Sequence, residues 1–221
     1  MKKCCLFDLD GTLLDTLPSI TFFMDRTLLS FGLPAVGEEV CRRCVGNGAR
    51  ALVERVFSHL GLSTSEDTPF LQVLSAYKSA YDADPLYLTR PYDGVPDLLS
   101  RLREEGIGIG VVSNKPHSAT LPLVRHFFGD LVSEVQGAEE SLPLKPDPTA
   151  PLAVMRRLGG TPKGTAYVGD SEVDIATGRA MGAAAVIGVR WGFRSPEALV
   201  GADLLVGDCE EILRAVCCLP L

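Results

Sequence analysis

Short apolar runs of strand length alternate, over most of the chain, with stretches whose apolar residues recur at helical spacing. The runs Cys4 to Leu9, Ile107 to Ser113, Thr165 to Val168, Ala184 to Val189 and Leu204 to Val206 are nearly continuous, the pattern of strands buried on both faces. Between them Leu98, Leu99 and Leu102 recur ahead of Gly106, and Leu152, Val154, Met155 and Leu158 ahead of Gly159 and Gly160. Strand and helix in turn, with glycine at helix ends, predict an α/β fold with a doubly wound, Rossmann-like parallel-sheet core.

Residues 17–85 depart from this alternation and predict helix after helix with no strand. Ile20, Phe23, Met24, Thr27 and Leu28 form one stripe; Ala51, Leu52, Arg55, Val56 and Leu60 suggest another. An all-helical cap inserted after the first strand accounts for the pattern, giving a core of 1–16 with 86–221 and a cap of 17–85. Ligands of open α/β sheets bind beyond the carboxyl ends of the strands, so such an insert is expected to act as a lid.

Composition excludes several classes. The 221 residues are 46% hydrophobic, enough to bury a core, and 21 basic against 28 acidic side chains give a net charge of −7. That balance argues against a nucleic-acid or anionic-membrane partner but leaves room for an anionic substrate, since a site can invert the field locally. In MKKCCLFDLDG the aspartates interrupt any signal-peptide core, and Ala180 to Val189 is about half the ~20 residues a bilayer requires. A cytoplasmic protein, monomer or homodimer, is expected. Seven cysteines, an odd number, suggest free thiols, and Cys41-Arg-Arg-Cys44 lacks the second ligand pair that a closed zinc site needs.

The chemistry begins at FDLDGTLLDT, Phe7 to Thr16. Asp8 and Asp10, two apart at a strand end, point the same way, and Gly11 permits a sharp exit. Two adjacent carboxylates repel, so a cation is expected between them. Asp15 is expected to be structural, since Thr16-Leu-Pro18 reads as a helix entry. In VGDSEVDI a strand ends in Gly169-Asp170 and a helix follows with Asp174 in its first turn; capping alone is the ordinary explanation of such aspartates. VVSNK ends a strand with Ser113 and Asn114, donors suited to oxyanions, and Lys145 precedes a proline-rich helix start. Each feature alone is commonplace, but all fall at the carboxyl ends of predicted parallel strands or on the loops beside them.

Together these residues resemble the haloacid dehalogenase superfamily, whose phosphatases carry an Asp-x-Asp-Gly-Thr motif, a Ser/Thr strand end, a Lys and a Gly-Asp-x-x-x-Asp motif in that order. The resemblance implies that Asp8 is the nucleophile, forming an aspartyl-phosphate, and that Asp10 protonates the leaving alkoxide and then accepts the proton of the attacking water. It implies Mg²⁺ on Asp8 and Asp170, on Asp10 through its backbone carbonyl and with Asp174 in support. Ser113, Asn114 and Lys145 would hold the phosphoryl oxygens. Four carboxylates against Lys145 independently call for a divalent cation before a phosphate could enter.

VGNGARALVERVF, Val45 to Phe57, and PYDGVPDLLSRLREEG resemble bacterial phosphoglycolate phosphatases. The resemblance implies hydrolysis of 2-phosphoglycolate, with Gly46 and Gly48 allowing close backbone approach and Arg50 placed to pair with a substrate carboxylate. A phosphatase or phosphomutase for another small sugar or organic phosphate shares these motifs. A receiver-like or non-catalytic binding protein fits less well, since VVSNK offers no phosphoacceptor Asp and no catalytic motif is missing. Trp191 and Phe193 are expected to shape a loop near the pocket.

Overall fold

The computed structural model describes residues 2–65 and 68–219; Met1, Glu66, Asp67, Pro220 and Leu221 lie outside the described residues. Along the chain β1 (Cys4–Phe7) and the short β2 (Leu14–Asp15) lead into α1 (Leu17–Ser30), α2 (Gly37–Cys44), α3 (Gly48–His59) and α4 (Phe70–Ala83). After the short β3 (Arg90–Pro91) come α5 (Val95–Glu104), β4 (Gly108–Pro116), α6 (His117–Phe128), β5 (Glu134–Ala138) and α7 (Thr149–Arg157). Then follow β6 (Thr165–Gly169), α8 (Glu172–Ala180), β7 (Ala185–Val189), β8 (Leu204–Val206) and α9 (Cys209–Cys217). Two compact units result, Met1–Asp15 with Pro91–Leu221, and Thr16–Arg90.

The first unit is built on a six-stranded sheet of order β5-β4-β1-β6-β7-β8, with every pairing parallel. β1 lies between β4 and β6 with all four residues buried, which is why its sequence is an unbroken apolar run. The chain leaves β1 for β4 on one side and later returns to β6 on the other, so strand order reverses at β1 and a crevice forms beyond the carboxyl ends of these three strands. Cys4, Leu6, Val112, Val154, Met155, Leu158 and Tyr167 pack into one cluster of the core.

Local differences from the expected elements have physical causes. β1 stops at Phe7 because the N–H groups of Thr12, Leu13 and Leu14 all turn back onto the Leu9 carbonyl. β4 runs on past Ser113 to Pro116. β5, Glu-Val-Gln-Gly-Ala, was not anticipated: it is an edge strand pairing only with β4, and its mixed polarity carries no continuous apolar signal.

In the Thr16–Arg90 unit α1 buries the anticipated stripe of Ile20, Phe23, Met24, Thr27 and Leu28. In α3 the buried face is Leu52, Val53, Val56 and Phe57, rotated from the predicted one. Arg55 is exposed there and its guanidinium donates to the Cys44 carbonyl (2.9 Å) and to Asn47 Oδ1 (2.7 Å). Cys41 and Cys44 are buried thiols outside any disulfide, and burial pushes the Cys41 thiol up to about 12. No helix among the described residues is long and apolar enough to cross a membrane.

Leu6 is fully buried in the core and Leu29 is 61% exposed. Leu6→Ala should therefore lower unfolding free energy by about 2–5 kcal/mol and Leu29→Ala by less than about 0.5 kcal/mol, read from urea denaturation midpoints.

Candidate active site

Asp8 is the first residue past β1. Its N–H still donates to the Val168 carbonyl (2.9 Å), which continues the β1–β6 pairing and sets Asp8 beside the end of β6, where Asp170 follows Gly169. Asp174 arrives from α8. Ser171 is the N-cap, and Asp174 Oδ2 accepts from the Ser171 N–H (3.1 Å) and hydroxyl (2.6 Å) in a capping box. Its other oxygen, Oδ1, accepts from Lys145 Nζ at 2.8 Å. One carboxylate thus caps a helix and anchors the lysine.

Carboxylate oxygens of Asp8, Asp170 and Asp174 lie within 4.8 Å of one another, and all three residues are buried. Lys145 Nζ stands 2.8 Å from Asp8 Oδ1 as well, so one ammonium is shared between Asp8 and Asp174. At such separations each pair of like charges repels by about 3–4 kcal/mol at an effective dielectric of ~20. Burial first, then Asp174, pushes the Asp8 carboxyl up to about 7 against the pull of Lys145. Burial and the same neighbours push Asp170 well above the usual carboxylate range. For Lys145 burial works downward, but Asp174 and Asp8 outweigh it and hold the ammonium well above its ordinary value.

Asp170 is gripped from several sides. Its Oδ2 accepts from the Phe193 N–H at 2.7 Å and its Oδ1 from the Thr12 hydroxyl at 3.5 Å. A Cβ on Gly11, whose φ is +84°, would strike the Asp170 carboxylate, and one on Gly192 would strike the Asp170 side chain and come within 2.6 Å of the Gly11 carbonyl oxygen. The Trp191 indole N–H donates to the Thr12 carbonyl (3.1 Å), so Trp191 and Phe193 fix the two loops that meet at Asp170.

The three buried carboxylates, hard oxygen donors gathered within 4.8 Å, and the raised carboxyls of two of them make this a set that a small divalent cation fits. Asp8, Asp10, Asp170 and Asp174 against Lys115 and Lys145 leave a formal charge of −2, which one Mg²⁺ would cancel.

β4 supplies the other wall. Ser113 is buried, and its Oγ accepts from the Lys115 N–H at 3.2 Å. Asn114 departs from expectation: its Oδ1 accepts from the Lys145 N–H (2.8 Å) and its Nδ2 donates to the Lys145 carbonyl (3.1 Å). The amide clamps the peptide that carries Lys145 at both its N–H and its carbonyl. Lys115 was not singled out from the sequence. Its Nζ lies 3.1 and 3.2 Å from the two oxygens of Asp10. Ser113 and Lys115 are two apart on a strand, and the alternation that pairs Asp8 with Asp10 could have found it.

Gly46 and Arg50 belong to the helical unit. Gly46, Asn47 and Gly48 all have positive φ, a left-handed entry to α3. Arg50 Nε donates to Glu54 Oε1 at 2.8 Å and its guanidinium lies 5.2 Å from the Phe70 ring centre, so its partners in the structure come from its own unit.

Residues 5–188 match the haloacid dehalogenase-like hydrolase family. A phosphoglycolate phosphatase from Pseudomonas putida is 34% identical over 217 residues, covering 96% of this chain and 79% of that relative. An N-acetylmuramic acid 6-phosphate phosphatase from Pseudomonas aeruginosa is also 34% identical, over 223 residues, covering 97% of this chain and 96% of that one. The solved structure of a proposed phosphoglycolate phosphatase from Lactobacillus delbrueckii subsp. bulgaricus superposes with a TM-score of 0.90 at 30% identity, covering 98% and 99% of the two chains.

Two outcomes are expected of the cluster. Gly192→Ala should displace Asp170 and weaken Mg²⁺ binding by on the order of tenfold or more in calorimetric titration, and, because the clash includes the Gly11 backbone, it should also lower the melting temperature in EDTA. The second follows from the raised Asp8 carboxyl: between the unfolded value near ~3.9 and about 7 the folded state holds the extra proton, so the metal-free protein loses stability as pH rises through that window. In EDTA, Asp8→Asn should raise the melting temperature at pH 7.5, and the difference should shrink at pH 4.5.

Proposed function

The chain belongs to the haloacid dehalogenase-like hydrolase family, and we propose that it is a Mg²⁺-dependent phosphomonoesterase working through an aspartyl-phosphate on Asp8. The observation that carries this reading is the buried Asp8 carboxylate 2.8 Å from the Lys145 ammonium, with the carboxylates of Asp170, just past β6, and Asp174, on α8, gathered beside it. A carboxylate needs no base to make it a nucleophile, only a setting in which it stays ionised. Lys145 helps to keep it so.

Asp8 and Asp170 would hold the Mg²⁺ through their side chains, Asp10 through its backbone carbonyl and Asp174 in support. The ion, when bound, would offset the carboxylate charge and the charge on the transferring phosphoryl group. The rest of the chemistry lies with the chain. An Asp8 oxygen attacks phosphorus in line as the bond to the ester oxygen breaks, and Asp10 gives its proton to the departing alkoxide. Asp10, now a carboxylate, takes a proton from water attacking the aspartyl-phosphate; the phosphorus–Asp8 bond breaks, returning the carboxylate and releasing inorganic phosphate. Ser113 and the Lys145 ammonium hold the phosphoryl oxygens, with Lys145 kept in place by Asn114.

The substrate is a small phosphomonoester. 2-Phosphoglycolate is the first candidate, supported by relatives such as the Pseudomonas putida enzyme. A phosphosugar acid is the second reading, favoured by the N-acetylmuramic acid 6-phosphate phosphatase that aligns over nearly both full lengths. Gly46 and Arg50 of the helical unit are proposed to contact the part of the substrate beyond the phosphate.

Phosphate release should require Mg²⁺ and fall by on the order of a thousandfold or more in Asp8→Asn. The check is a panel of 2-phosphoglycolate, N-acetylmuramic acid 6-phosphate and nucleoside monophosphates, with and without EDTA. An Asn variant as active as the wild type would end the covalent mechanism, and preference for nucleotides would end the substrate assignment alone.

A further inference from the structure

Lys115 is buried, its side chain 7% exposed, and it reaches both oxygens of Asp10, whose side chain is 17% exposed. Nothing in the phosphoryl chemistry requires it. The transferring group is already served by Lys145, Ser113 and the cation site, while Asp10 must turn between two oxygens in succession, the departing alkoxide and then the water. A buried ammonium gripping both oxygens of an acid–base carboxylate restrains that motion, unless the substrate brings an anion to share the ammonium.

The geometry says where that anion would sit. A leaving oxygen within hydrogen-bond reach of Asp10, about 2.6–3.2 Å, and Lys115 Nζ, at 3.1 and 3.2 Å, are two neighbours of one carboxylate, so they lie no more than about 6 Å apart. In a leaving group of the form O–CH₂–COO⁻ the carboxylate oxygens lie roughly 3 Å from the leaving oxygen, and a hydrogen bond of about 2.8 Å spans the remainder to the ammonium. An alcohol at the same carbon offers no charge there, and a sugar acid phosphorylated on a remote hydroxyl carries its carboxylate many bonds away.

We propose that Lys115 is the specificity residue for the leaving group, binding a carboxylate on the carbon adjacent to the ester carbon and so selecting 2-phosphoglycolate-type substrates. This rests on the reading of Asp10 as the acid–base residue. It moves carboxylate recognition from Arg50, which pairs with Glu54, to a lysine of the core unit itself. On binding, the substrate carboxylate shares the ammonium, and Asp10 is released to the ester oxygen only when a substrate of the right form is present.

The experiment compares 2-phosphoglycolate with ethylene glycol monophosphate, its analogue with hydroxymethyl in place of the carboxylate, in the wild type, Lys115→Met, Lys115→Gln and Lys115→Arg. The wild type should favour phosphoglycolate in kcat/KM by on the order of ten- to a hundredfold. Lys115→Met and Lys115→Gln should lose most of that preference, chiefly through KM for phosphoglycolate, with a smaller fall for the glycol ester, and Lys115→Arg should restore part of it. An equal loss on both esters shows that Lys115 only positions Asp10 and overturns the proposal. So does a wild-type ratio near one, which needs no variant to fold. Failure of the underlying mechanism has a different signature: the wild type hydrolyses neither ester, or Asp8→Asn hydrolyses both.

Discussion

Negative charge gathered in a buried pocket is costly, and the arrangement around Asp8 follows from how that cost is met. Asp8, Asp170 and Asp174 approach within 4.8 Å, and the one ammonium among them, Lys145, contacts two of the three. Lys145 cannot neutralise the set, and burial together with the neighbouring carboxylates raises the proton affinity of Asp8 and Asp170. A protein optimised for stability alone would replace such a cluster with apolar side chains. Keeping it makes sense where a cation and an anionic group are to be bound in turn, because each then finds a complement already built.

That cluster depends on the sheet. A parallel sheet whose strand order reverses at β1 brings three carboxyl ends together, and the hydrogen bond from the Asp8 N–H to Val168 ties one of them to the next. Gly11 and Gly192 then let two loops close on Asp170 more tightly than any side chain would allow. Backbone approach, helix capping by Ser171 and an amide clamp on Lys145 each fix one member, so the spacing between charges does not rest on any single contact.

Much of this was legible in the sequence, for reasons that also explain what was not. Asp8 and Asp10 announce themselves because a continuous apolar run ends in charge, and Asp170 and Asp174 repeat the pattern. The α1 stripe was legible since its five positions are all apolar or small; the α3 stripe was misplaced by one position because Arg55 was counted toward the buried face when its guanidinium instead serves the Cys44 carbonyl and Asn47. β5 hid because an edge strand need not be apolar on both sides. The role of Asn114 was not legible at all: its partner, the Lys145 peptide, is 31 residues away, and only the fold brings the two together.

The two lysines illustrate how one charge type divides into two tasks. Lys145 has its peptide held at both ends by Asn114 and its ammonium between Asp8 and Asp174, so it is fixed from backbone to tip. A group so constrained can serve whatever is common to every substrate, which is the phosphoryl oxygens. Lys115 lies two residues past Ser113 on β4, and its partner Asp10 is the carboxylate proposed to carry the proton. Discrimination needs an interaction that differs between substrates, and that can arise only where binding one of them changes who is paired with whom. In this site the pair proposed to exchange is Asp10 with Lys115, so the variable part of the substrate, the leaving group, would be read on that side.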